Sequence, residues 1–123
     1  MRKHRLMIVE DEVVIAIGLR KRLQSMGYEV CQLITESDEV IRSVEKENPD
    51  LVVMDINIQG KKDGIELAKE VRSRFNVFVV FLSGYPDAET ERRTQSVDHS
   101  GFFVKPVEVS TLHQAFQKAL GNC

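Results

Sequence analysis

Four short apolar runs in this chain each end on a residue able to do chemistry. Leu6-Met7-Ile8-Val9 runs into Glu10, Asp11 and Glu12, and Leu51-Val52-Val53-Met54 into Asp55. Val77 to Leu82 is followed by Ser83 and Gly84, and Phe102-Phe103-Val104 by Lys105 and Pro106. Carboxylates brought together repel one another and raise each other's pKa unless a cation sits among them. Oxygen ligands with no His or Cys nearby suit a hard ion, Mg²⁺ rather than Zn²⁺. A lysine and a hydroxyl opposite them can hold an anion. Carboxylate, Mg²⁺, lysine and hydroxyl are together the parts that stabilise a phosphoryl group in transfer. An Asp carboxylate can itself be the nucleophile and form an aspartyl phosphate.

Taken singly, each residue has a plainer role. Asp11 can cap a helix, Glu12 can meet a helix dipole, and Asp55 can cap a turn. Ser83 can be a loop serine and Lys105 a solvated surface lysine. These plain roles weaken together, because all of them must then fall at one edge of one sheet.

The elements that would create such an edge are legible. From Asp11 to Met26, Ala16, Leu19, Leu23 and Met26 recur at helical spacing, and Gly27 is placed to stop that helix. Tyr28 to Ile34 is a second strand. Ser37 or Asp38 can cap a helix carrying Val40, Ile41 and Val44, and Asn48-Pro49-Asp50 punctuates before the strand at Leu51. A polar loop, Asn57 to Gly64, leads to a helix marked by Ile65, Ala68 and Val71. After the fourth strand and the loop Ser83 to Asp87, a helix to about Val97 has a thin apolar face, Ala88 and Val97 only. Val109, Leu112, Phe116, Ala119 and Leu120 form the stripe of a last helix. The pattern is βα repeated five times. Strands without alternation imply burial on both faces, and right-handed crossovers place helices on both sides of the sheet. This is a doubly wound parallel α/β domain, in which ligands bind beyond the carboxyl ends of the strands.

Composition bounds the rest. The 123 residues fit one domain spanning 1–123, and 42% apolar with 29% charged residues is ordinary for a globular chain. A net charge of −2 disfavours direct binding of nucleic acid through phosphate contacts. Val77 to Leu82 is the longest apolar run and is too short to span a membrane. The basic start, Met1 to Arg5, lacks the apolar stretch of a signal peptide. Cys31 and Cys123 follow no zinc or redox spacing and read as reduced thiols of a cytoplasmic protein.

In order and spacing, these residues resemble the receiver domain of two-component response regulators. The resemblance runs from Leu6 to about Leu120. It rests on Ile8-Val9-Glu10-Asp11-Glu12, on Pro49 to Ile56, on Asp63-Gly64, on Phe81-Leu82-Ser83-Gly84 and on Gly101 to Pro106. It implies a flavodoxin-like sheet of order 2-1-3-4-5. It also implies that Asp55 accepts a phosphoryl group from a histidine kinase or phosphotransfer protein. Mg²⁺ would be held by Glu10 (through water), Asp11, Asp55 and the backbone carbonyl of Asn57. Lys105 would pair with one phosphoryl oxygen and Ser83 with another, and the Phe102 rotamer would follow the change. Gly84 leaves access to the pocket, and Tyr85 and Asn57 lie where the family tunes dephosphorylation. The Lys105–Pro106 bond is one where a cis isomer is tolerated. The implied protein is a cytoplasmic switch, not an enzyme, with an output domain or downstream partner. A homodimer through the face of the fourth helix, fifth strand and fifth helix is a further implied contact.

The chain departs from the commonest family pattern in places. Gln59 stands where a proline is frequent, and Asp63-Gly64 lies one residue further along. Ser83 replaces threonine, and Phe102 replaces tyrosine and so carries no phenol hydroxyl. Competing readings are an interaction module independent of phosphorylation and an Asp-nucleophile phosphatase. The retained Glu10, Asp11, Asp55, Ser83 and Lys105 argue against the first. For the second, Asn57 stands where a second acid is expected, and no cap domain accompanies it. A flavin site rests on fold analogy alone, and Glu10-Asp11-Glu12 would repel its phosphate.

Overall fold

Val, Ile, Leu and Met in unbroken runs make strands that are dry on both faces, and three such strands form the centre of the sheet. The computed structural model describes residues 3–121. Met1, Arg2 and Cys123 lie outside the described residues, and Cys31 is a free, half-buried thiol. The strands are β1 (Arg5–Val9), β2 (Glu29–Ile34), β3 (Leu51–Asp55), β4 (Phe78–Ser83) and β5 (Phe102–Val104). The helices are α1 (Val13–Ser25), α2 (Val40–Glu47), α3 (Gly64–Arg74), α4 (Ala88–Thr94) and α5 (Val109–Leu120). All pairings are parallel and the sheet order is β2-β1-β3-β4-β5, as the resemblance implies.

Alternate side chains along each central strand feed two cores. Met7, Val9, Val52, Met54, Val79 and Phe81 pack with Val40 and Val44 of α2 and Ile65, Ala68 and Val71 of α3. Leu6, Ile8, Leu51, Val53, Val80 and Leu82 pack with Ala16, Leu19 and Leu23 of α1 and Leu112 and Phe116 of α5. Helices thus cover both faces, which makes the carboxyl edge of the sheet the open end. Among the described residues, no helix is long and apolar enough to cross a membrane.

Local chemistry departs from the sequence reading in four places. Neither Ser37 nor Asp38 caps α2. They lie in a 3-10 turn, Ser37–Glu39, whose side chains make no capping bond. Met26 is not on the buried stripe but is the exposed C-cap residue. Gly27, at φ 98°, then closes α1 as a Schellman turn: its N–H bonds the Gln24 carbonyl and the Tyr28 N–H bonds that of Leu23. β2 is half exposed, because it is an edge strand rather than a central one. α4 ends at Thr94, short of Val97, and Thr94 is its one buried residue.

Candidate functional site

Parallel register brings the residues after four strands to one edge. Val9 pairs with Met54, Asp55 with Leu82, and Ser83 with Val104. Backbone bonds continue the register one step beyond the strands. The Glu10 N–H donates to the Ile34 carbonyl (2.9 Å), Ile56 to Leu82 (2.9 Å) and Lys105 to Ser83 (2.8 Å). Glu10, Asp55, Ser83 and Lys105 therefore sit on backbone that the sheet itself holds still. The Lys105–Pro106 bond is cis.

Glu10 and Asp55 are each 1% exposed, an expensive place for two carboxylates. The Lys105 ammonium lies between them, 2.6 Å from Glu10 Oε1 and 3.3 Å from Asp55 Oδ1. Glu10 Oε2 accepts the Glu12 N–H at 3.1 Å, and Asp55 Oδ1 accepts the Asn57 N–H at 3.0 Å. One ammonium does not neutralise two acids. Burial first, and the Glu10 charge second, push Asp55 up to about 7, against the opposing pull of Lys105 and the Asn57 N–H. Burial pulls the Lys105 ammonium down, but its bond to Glu10 and the Asp55 charge outweigh this and leave it above its ordinary value.

Asp11 completes the group. One carboxylate oxygen from each of Glu10, Asp11 and Asp55 falls within a common 4.8 Å. Asp11 does not cap α1, whose N-cap residue is Glu12, itself without a side-chain capping bond. Three acids, all oxygen donors, with burial and the Glu10 charge both opposing ionisation of Asp55, fit a hard divalent cation such as Mg²⁺.

The loop leaving Asp55 approaches the backbone closely. A Cβ on Gly64 would lie 2.3 Å from the Asp55 carbonyl oxygen and 2.7 Å from the Ile56 Cα. Only glycine lets α3 begin that close to Asp55. Asp63 caps α3 in a full capping box: its Oδ1 accepts the Glu66 N–H (3.0 Å), and Glu66 Oε1 accepts the Asp63 N–H (3.1 Å). The pattern Asp63-x-x-Glu66 is readable in the sequence. The second close approach, Gly60 at φ 140° against buried Ser37, is not, because its partner comes from another loop.

A sequence profile described as the response regulator receiver domain matches residues 6–117. The chain belongs to the response regulator receiver domain family. It is 30% identical over 118 residues to the transcriptional regulatory protein PdtaR of Mycobacterium tuberculosis, covering 96% of this chain and 57% of that protein. The chain therefore spans little more than half of that relative's length. It is 28% identical over 121 residues to sporulation initiation phosphotransferase F of Bacillus subtilis, covering 98% of this chain and 96% of that one. A solved signal receiver domain of a modulated diguanylate cyclase from Desulfovibrio desulfuricans superposes with a TM-score of 0.91 at 32% identity, covering 97% and 94% of the two chains.

The remaining expected residues of this receiver domain occupy distinct environments. Ser83 is fully buried at the end of β4, and its Oγ accepts the Tyr85 N–H at 3.1 Å. Gly84 is exposed, with nothing within 4 Å of a would-be Cβ, and Tyr85 is 76% exposed. Asn57 and Pro106 are also exposed. Phe102 is half-buried and packs on the core beneath α2 and α3, whereas Phe103 packs on the opposite core. Above Asp55 and Lys105 opens a cleft of about 790 Å³, walled by Val14, Ile15, Leu19, Pro106 and Val107. Val14 is 85% exposed.

Proposed function

We propose that this receiver domain is a phosphorylation-dependent switch in which Asp55 is the phosphoacceptor. The observation that carries the reading is the buried Asp55–Lys105–Glu10 arrangement, with Asp11 beside it, on backbone fixed by the sheet. An Asp55 oxygen would bond to phosphorus as the P–N bond of a phosphohistidine breaks, its electron pair returning to the imidazole nitrogen of the donor. Lys105 would hold a phosphoryl oxygen, and the Ser83 hydroxyl would bond another. Glu10 through water, Asp11, Asp55 and the Asn57 backbone carbonyl would hold Mg²⁺, which supplies positive charge to the acidic cluster and the arriving phosphoryl oxygens.

The donor is a histidine kinase or phosphotransfer protein, and the cleft walled by Val14, Ile15, Pro106 and Val107 supports docking of an apolar-faced partner beside Asp55. Modification would draw Ser83 inward and let Phe102 follow, altering the face built from α4, β5 and α5. That face would meet an output domain, a downstream partner or a second copy. The reading is of a cytoplasmic switch rather than a turnover enzyme, one that binds neither nucleic acid nor membrane directly.

Phosphoramidate, which carries the same P–N bond as phosphohistidine, tests the acceptor. Peptide mass spectrometry after borohydride reduction should map the adduct to Asp55. An adduct on another residue, or one persisting in Asp55→Asn, would overturn the assignment.

A further inference from the structure

α4 is the least anchored helix of the domain. Only Thr94 is buried within it, and the buried Val97 follows its end. The segment after it is held well: Asp98 pairs with Arg72 (2.7 Å), the His99 ring meets Phe81 edge-on (5.2 Å), and the Ser100 N–H bonds the Val79 carbonyl (2.8 Å). Among the described residues, the helix body makes one long-range polar attachment, Arg93 Nη2 to Asp63 Oδ2 at 2.7 Å.

Asp63 divides its two oxygens between two tasks. Oδ1 caps α3, and Oδ2 holds Arg93. The next residue, Gly64, is the one that lies against the Asp55 carbonyl, and its N–H bonds the Ile56 carbonyl at 2.9 Å. A continuous path of direct contacts therefore joins α4 to the backbone of the acceptor without passing through Ser83.

We infer that Arg93 is a positioning residue that, through Asp63, tethers α4 to the acceptor loop and holds it in the place it occupies before phosphorylation. The inference rests on the proposed switch only where it couples the tether to Asp55; the tether itself exists in the unmodified protein. Such a half-exposed ion pair contributes modestly. On a helix with so little buried surface, that contribution is enough to change the population of displaced α4 between about two- and five-fold. If modification moves α4 away from Asp63, the tether opposes it, and by linkage its removal favours the modified form by the same factor.

Two variants isolate the pair. R93Q removes the cation. D63N removes the anion and keeps a capping side chain, since Asn caps as well as Asp. Their long-range effects on a bound anion have opposite sign, so agreement between them reports the pair itself. Hydrogen exchange of residues 88–97, without any phosphodonor, should rise about two- to five-fold in both variants, and R93K should restore the parent rate. Added salt should speed exchange in the parent and not in the variants. The apparent affinity for beryllofluoride with Mg²⁺ should tighten about two- to five-fold in both. Unchanged exchange in R93Q would overturn the tether, and changed exchange with unchanged or opposed beryllofluoride affinities would overturn the coupling. A parent that binds no beryllofluoride would overturn the receiver reading instead and leave the exchange result standing on its own.

Discussion

The Lys105 ammonium sits 2.6 Å from one oxygen of Glu10, a carboxylate almost wholly removed from water. It also reaches Asp55 at 3.3 Å, so two buried acids share one cation. Lys105→Ala removes it. Removing one partner of a buried pair is far costlier than the pair's net worth. We expect a loss of about 3 kcal/mol in urea unfolding of the metal-free protein, with Mg²⁺ recovering part of it. An unchanged midpoint would mean that the acids are already compensated in another way.

Asp55 makes the stability of the metal-free domain depend on pH. Its folded-state pKa is raised, to about 7. The folded protein then holds this proton more tightly than the unfolded chain does. The resulting stabilisation is complete below the ordinary carboxylate range and is lost as pH rises through about 7. Asp55→Asn should leave stability nearly unchanged at about pH 3.5 and raise it progressively towards pH 8, by on the order of 4 kcal/mol there. Mg²⁺ should stabilise the parent most at the alkaline end, where the acids are ionised. Parallel pH profiles for parent and variant would contradict this assignment.

Two glycines should respond in opposite directions to the same substitution. Gly64→Ala drives a Cβ into the Asp55 carbonyl and the Ile56 Cα. The backbone must shift, at a cost of about 2 kcal/mol. Gly18, in the middle of α1, has nothing within 4 Å of a would-be Cβ. Gly18→Ala should gain roughly 0.5–1 kcal/mol from helix propensity. Thermal unfolding of the two variants checks both signs.

Ser83→Ala separates stability from switching. The hydroxyl oxygen accepts the N–H of Tyr85, an exposed residue that water can serve. The cost should stay under about 1 kcal/mol. The adduct at Asp55 should still form, while NMR shift changes in β5 and α5 on phosphorylation should shrink. Full propagation in Ser83→Ala would remove the hydroxyl from the switch.

The site was far more legible than the joints that hold it. Glu10, Asp55, Ser83 and Lys105 could be placed because each follows an apolar run, and parallel register carries strand ends to one edge. Asp63-x-x-Glu66 is likewise a local pattern with a local cause. Ser37 and Asp38 looked equally suited to capping, yet the chain turns there as a 3-10 segment packed against Gly60. That outcome depends on a residue from another loop. The end of α4 at Thr94 is not legible in the sequence, because the helix's apolar face is too thin to mark a boundary. Arg93 carried no signal at all: its partner is a polar residue 30 positions earlier, joined to it only by the fold.

The central claim is that Asp55 accepts a phosphoryl group in a cluster completed by Mg²⁺. Intact-mass spectrometry after incubation with acetyl phosphate, with and without Mg²⁺, tests it most directly. The account predicts a single phosphoryl adduct on the parent that depends on Mg²⁺ and is absent from Asp55→Asn. No adduct under any condition, or an equal adduct on Asp55→Asn, would contradict it.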